Sequence, residues 1–127
     1  MIFKNLIVNK GKLISKGSVG FVITENCSFK CKHCLRGDRR PNTITKEVID
    51  LVLSQVNING ELFLTGGEPL LAIDKVTYLL NRLHFYGSNP KSLLIVTNGS
   101  VSPRKFEKFA AAVPDGIKLK LRVSNDF

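Results

Sequence analysis

Residues 61–69 read Glu61-Leu62-Phe63-Leu64-Thr65-Gly66-Gly67-Glu68-Pro69. An apolar run that meets two glycines and a proline predicts a buried strand ending in a turn. Ile73, Val76, Leu79, Leu80 and Leu83 follow at helical spacing, so the turn opens an amphipathic helix. This strand–turn–helix unit recurs on both sides of it, and the recurrence decides the fold class.

Upstream, Val19-Gly20-Phe21-Val22-Ile23-Thr24 predicts a strand, and after a polar stretch around Gly37–Pro41 a helix begins near Thr43 or Thr45. Threonine suits an N-cap and Glu47 suits the positive end of the helix dipole. Val48, Ile49, Val52 and Val56 supply its apolar face. Downstream, Ser92–Thr97 predicts a third strand closed by Asn98-Gly99, and Ser102-Pro103 reads as an N-cap followed by a first-turn proline. Phe106, Phe109, Ala110 and Val113 point that helix inward. Pro114-Asp115-Gly116 is a turn, and Ile117–Ser124 alternates apolar and polar residues strictly. The first sixteen residues read as a small hairpin, Phe3–Val8 against Leu13–Ser15. The expectation is an α/β fold of about four parallel β–α units, with residues 1–17 a hairpin extension and 18–127 the core domain. Sheets of this kind gather ligand-binding residues at the carboxyl ends of their strands. The cysteine-bearing segment after Thr24, Gly66–Pro69, Thr97–Gly99 and Ser124–Asp126 all fall there.

Size and charge bound the function. At 127 residues the chain holds one core, and a hydrophobic fraction of 43% belongs to a globular protein. No apolar run reaches the ~20 residues of a membrane span, and the N-terminus lacks the pattern of a signal peptide, so a cytoplasmic location is expected. The net charge of +9 is spread along the chain, with clusters at Lys30/Lys32/Arg36/Arg39/Arg40 and Lys118/Lys120/Arg122. It reads as a solvated basic surface or as attraction for an anion; no nucleic-acid motif accompanies it.

The three cysteines, Cys27, Cys31 and Cys34, lie within eight residues at the spacing C-x3-C-x2-C. An odd, clustered set does not staple a fold with disulfides; it points to metal or redox chemistry. Three thiolates on a short segment can take three irons of an iron–sulfur cube and leave the fourth open. Lys30, Lys32 and Arg36 would favour the thiolates and offset the cluster's charge. A zinc site recruiting His33, and three structural cysteines without metal, are the rival readings.

Cys27, Cys31 and Cys34, with His33 before the last cysteine, resemble the signature of the radical S-adenosylmethionine (SAM) superfamily, placed directly after the first core strand. Leu64-Thr65-Gly66-Gly67-Glu68-Pro69 is similar to that family's glycine–glycine–glutamate motif after the second strand. The resemblance implies a partial (β/α) barrel that binds a [4Fe–4S] cluster through the three cysteines, with SAM chelating the open iron. Reductive cleavage of SAM would then give a 5′-deoxyadenosyl radical that abstracts hydrogen from a substrate. It implies that Gly66, Gly67, Glu68 and Pro69 contact SAM's methionine end, with Glu68 accepting from its ammonium. It also implies that His33 reaches the adenine, Asn98 lines the pocket and Ser124 touches the ribose or carboxylate. Each of the last strand ends has a plainer reading: an Asn-Gly turn at Asn98, and an edge strand with solvated cations at Lys120 and Arg122. If Lys120 and Arg122 face the barrel interior, Arg122 calls for an anion there. His84, beside Phe85 and Tyr86, reads as structural.

The resemblance covers residues 18–127 but only four of the six β–α steps such a barrel has. The chain is therefore expected to be a natural minimal protein or part of a longer enzyme. An exposed last strand would need cover, from the N-terminal hairpin or from a second copy of the chain. The family also implies a reductant protein of flavodoxin or ferredoxin type. A non-catalytic iron–sulfur module and a zinc-dependent interaction module are the alternatives from other classes.

Overall fold

A computed structural model describes residues 2–3, 6–9, 12–24, 43–99 and 101–123. In chain order the elements are β1 (Ile2–Phe3), β2 (Leu6–Asn9), β3 (Lys12–Ser15), β4 (Ser18–Thr24), α1 (Lys46–Gln55), β5 (Val56–Ile58) and β6 (Glu61–Gly66). A short 3-10 helix (Pro69–Ala72) then leads into α2 (Ile73–Leu83), β7 (Ser92–Thr97), α3 (Pro103–Ala112) and β8 (Lys118–Val123). Thr45 and Ser102 cap α1 and α3 as expected, accepting from Val48 N at 3.2 Å and Lys105 N at 3.3 Å.

The main sheet runs β1-β4-β6-β7-β8. Its last four strands are mutually parallel and lie side by side in sequence order, the order in which a (β/α) barrel is wound. The predicted α/β class is therefore met. Alternate residues, Val19, Phe21 and Ile23, Leu62 and Leu64, Leu93 and Ile95, form one buried cluster with Ile49 and Leu53 of α1, Val76, Leu79, Leu80 and Leu83 of α2, and Phe109 of α3. Burying that apolar area is what holds the helices on one side of the sheet. The opposite side carries Gly20, Phe63, Thr65, Leu94, Val96, Lys120 and Arg122 by strand alternation. On it, the Phe63 ring lies where a Cβ on Gly20 would sit, 2.3 Å from that position.

Three sequence expectations change. First, α1 turns Ile49 and Leu53 inward, while Val48 is 40% exposed. Val56 leaves the helix to begin β5, because β5 pairs with β3. The β3·β5 pairing (Leu13 opposite Val56) and the β4·β6 pairing (Ser18 opposite Glu61) share one offset. Asn59 N donates to Ser15 O and Glu61 N to Gly17 O, both at 2.8 Å, so a single kinked ladder joins the two sheets. Second, the hairpin forms as β2 and β3, but the N-terminal segment covers the opposite edge from the one expected. β1 pairs antiparallel with β4, and no described strand lies beyond β8. Third, the apolar side of β8 is covered only as far as Leu119; Leu121 and Val123 are 48% and 51% exposed, since no described helix packs over them. No helix among the described residues is long and apolar enough to cross a membrane.

Candidate functional site

The carboxyl ends of β4, β6 and β7 meet at one place. β4 slips register between Val22 and Thr24, which brings Thr24 opposite Gly66. Thr24 forms an antiparallel bridge with Thr43, their hydroxyl oxygens are 2.9 Å apart, and Ile44 N donates to Ile23 O at 2.8 Å. Thr24 and Thr43, the described residues that flank 25–42, are therefore held against each other. Cys27, Cys31, Cys34 and His33 lie between these two, outside the described residues, and Ser124, after β8, is outside them as well. Of the two threonines offered as the helix start, Thr45 is the cap, whereas Thr43 pairs with Thr24, a contact across nineteen residues that carries no local signal.

Gly66 and Gly67 tie β6 to the same clamp. Gly67 N donates to Thr24 O at 2.7 Å. Gly66 has φ +143°, and a Cβ there would lie 2.3 Å from Thr24 O, so glycine is required by conformation and by the neighbouring backbone together. The close approach that the glycines permit is thus, at Gly66, an approach of strand to strand.

Glu68 is fully buried. Its Oε2 accepts from Leu70 N at 3.1 Å, which caps the short helix begun by the buried Pro69. Its Oε1 accepts from the Thr97 hydroxyl at 2.5 Å and from Asn98 N at 2.7 Å. Thr97 Oγ1 in turn accepts from Gly99 N at 3.2 Å, and Gly99 turns the chain with φ +77°. The carboxylate expected to take an ammonium group is engaged by three donors of the chain itself. Asn98 is half-buried at the end of β7, next to this network.

On the face away from the helices, Lys120 Nζ reaches Glu61 Oε2 at 3.0 Å, and Ser92 Oγ donates to the same oxygen at 3.0 Å. Lys120 thereby lies on the side of the sheet away from the helices, and it is half exposed there. The lysine's hydrogen bond, foremost, holds the Glu61 carboxyl below the usual carboxylate range. Arg122, two residues nearer the strand end, is exposed on the same side. Away from the site, Asp50 of α1 accepts from the Tyr78 hydroxyl at 2.5 Å, Tyr86 hydroxyl at 3.1 Å and Arg82 Nε at 3.2 Å, bracing α1 to α2. His84 is exposed at the end of α2.

Parallel strands wound in order, with helices on one side and glycine-bearing strand ends gathered at one rim, are consistent with part of a (β/α) barrel, a fold that binds its ligands at that rim. The family model described as the Radical SAM superfamily matches residues 21–127. The chain belongs to the radical SAM superfamily. It is 30% identical over 111 residues to a GTP 3',8-cyclase of Rhizobium etli (strain ATCC 51251 / DSM 11541 / JCM 21823 / NBRC 15573 / CFN 42), covering 82% of this chain and 30% of that protein. Over 71 residues it is 37% identical to an Aquifex aeolicus (strain VF5) protein with the provisional name L-lysine 2,3-aminomutase, covering 48% of this chain and 18% of the other. A GTP 3',8-cyclase of Alkaliphilus oremlandii (strain OhILAs) is 28% identical over 97 residues, which cover 71% of this chain and 30% of that protein. The chain thus spans less than a third of the length of these relatives.

Proposed function

We propose that this chain binds a [4Fe–4S] cluster through Cys27, Cys31 and Cys34, and SAM beside it at the strand-end rim, as the front part of a radical SAM active site. The observation that carries the reading is the clamp at Thr24. The cysteine-bearing residues 25–42 start and finish there, and the Thr24 carbonyl is also the atom that holds Gly67. The donor set fits: three thiolates suit three irons of one cluster and leave the fourth for an outside ligand. When bound, the cluster supplies one-electron reductive cleavage of SAM, after which hydrogen is abstracted from a substrate.

The chain's own residues bind and orient. Thr24 and Thr43 hold the ends of the cysteine segment together. Gly66 and Gly67 bring the end of β6 against it, and Pro69 stiffens the turn. Asn98, Ser124 and His33 surround the SAM, and Arg122 offers a positive charge on the open face to a carboxylate. A cytoplasmic setting and an electron-donor protein of flavodoxin or ferredoxin type belong to this reading.

Anaerobic reconstitution with iron and sulfide tests it. About four irons per chain with broad visible absorbance are expected, and reductant plus SAM should then release 5′-deoxyadenosine. No iron uptake refutes the reading. A cluster without 5′-deoxyadenosine makes the chain a non-catalytic iron–sulfur module, and zinc bound in place of iron makes it an interaction module.

A further inference from the structure

Glu68 combines a carboxylate with complete burial. Taking such a group out of water is costly unless donors meet its lone pairs. Three do, and they come from two places: Leu70 N from the next turn, and the Thr97 hydroxyl and Asn98 N from the end of β7. Among the described residues no lysine or arginine pairs with it. Its direction is also informative. Thr97 shares strand alternation with Leu93 and Ile95, whose side chains are buried on the helix-packed side. A carboxylate bonded to the Thr97 hydroxyl is therefore turned between sheet and helices, away from the side where Phe63, Lys120 and Arg122 lie.

The neighbours complete a strap across three strands. Gly67 N is fastened to Thr24 O on β4, and the next residue is fastened to Thr97 of β7 and to Asn98 just after it. By donating to Glu68, the Thr97 hydroxyl keeps its oxygen turned to accept from Gly99 N, which sets the Asn98-Gly99 turn.

We propose that Glu68 is a positioning residue: its buried carboxylate locks the end of β6 to the end of β7, and so acts on a ligand at the rim through Gly66-Gly67 and Asn98 without touching it. This rests on the SAM-binding reading above and replaces a direct glutamate–ammonium contact with an indirect one. A direct contact needs an exposed carboxylate oxygen; the strap needs the Thr97 hydroxyl beside Asn98 N, and that hydroxyl touches no ligand in either account.

Two arms test it, on wild type, Thr97→Val, Glu68→Gln and the double variant. In cluster-free protein, amide hydrogen exchange should quicken by about tenfold at Gly99 in Thr97→Val, which removes its acceptor, and at Leu70 or Asn98 in Glu68→Gln, whose one oxygen cannot accept at both ends, as expected for losing one such bond. In anaerobically reconstituted protein, both single variants should weaken SAM binding by a similar factor, and the double variant by less than their product, because the two residues share one interaction. Thr97→Val with unchanged SAM affinity beside a weakened Glu68→Gln would overturn the proposal in favour of direct contact. Unchanged exchange in both variants would remove the strap itself. Wild-type protein that takes up a cluster but binds no SAM refutes the functional reading and the ligand half of this one, while the exchange arm still decides whether the strap exists.

Discussion

Replacing Gly66 with alanine tests how the rim is assembled. At φ +143° an L-residue is strained by about 1–3 kcal/mol. The new Cβ would also fall 2.3 Å from Thr24 O, a backbone atom that cannot swing aside as a side chain would. β6 must then move off β4, and the Gly67 N to Thr24 O hydrogen bond, worth about 1 kcal/mol net, is weakened or lost. Together these give a loss of about 3 kcal/mol, or a fall of about 12 °C in Tm for a domain of this size. Gly116 is the matched control. Its φ is +87°, but a Cβ there meets nothing within 4 Å, so alanine should cost only the backbone strain, about 1 kcal/mol. Equilibrium urea unfolding of the cluster-free protein, with m unchanged between variants, measures both. A Gly66→Ala protein no less stable than Gly116→Ala would refute the argument that β4 and β6 are pressed together at this point. The same variant should lose SAM affinity in reconstituted protein, since the displaced strand end carries the whole Gly66–Pro69 turn.

Three further outcomes follow from other parts of the molecule. Cys27→Ala, Cys31→Ala or Cys34→Ala should each abolish the iron content and visible absorbance of reconstituted protein while leaving its urea midpoint before reconstitution unchanged; retention of about four irons by any of them would remove that cysteine from the ligand set. The hydrogen bond from Tyr78, foremost, with those from Tyr86 and Arg82, holds the Asp50 carboxyl below the ordinary aspartate range. A depressed folded-state value means the stabilisation is full above the unfolded-state value and is lost as pH falls through the folded one. The gap in urea midpoint between wild type and Asp50→Asn should therefore stay constant near neutrality and close only in acid below that range; a gap independent of pH would contradict it. Finally, association of two copies through β8 is proposed because no described strand pairs with its outer edge. Antiparallel self-pairing centred on Lys120 would set Lys118 opposite Arg122 and Lys120 opposite its own copy, and like charges in cross-strand pairs repel. Light scattering should then show a dimer that strengthens as salt is raised, and a monomer at every ionic strength would end the proposal.

Much of this protein is legible locally. Strand and helix positions follow from apolar periodicity, since each residue's neighbours at two or at three and four positions decide which face it shares. Thr45, Ser102 and Pro103 mark helix starts because a cap needs only the next three residues. The spacing of Cys27, Cys31 and Cys34 points to metal or redox chemistry for the same reason: the three thiols are close in the chain. Gly66-Gly67-Glu68-Pro69 reads as a turn and as a family motif from its own residues alone.

What tertiary structure decided are the partners across the sheet. Glu68 looks from its neighbours like a carboxylate free to meet a ligand; only the parallel pairing of β6 with β7 brings Thr97 and Asn98 to it. Val56 fits the face of α1 until β3, some forty residues earlier, claims it for β5. Thr24 and Thr43 become a clamp, and the N-terminal segment a cover for β4 rather than β8, through contacts that no run of adjacent residues encodes. Secondary structure and ligand chemistry here depend on separations of a few residues, whereas a hydrogen bond across parallel strands joins residues separated by a whole β–α unit. Which donor a buried carboxylate finds is settled only when the strands are laid side by side.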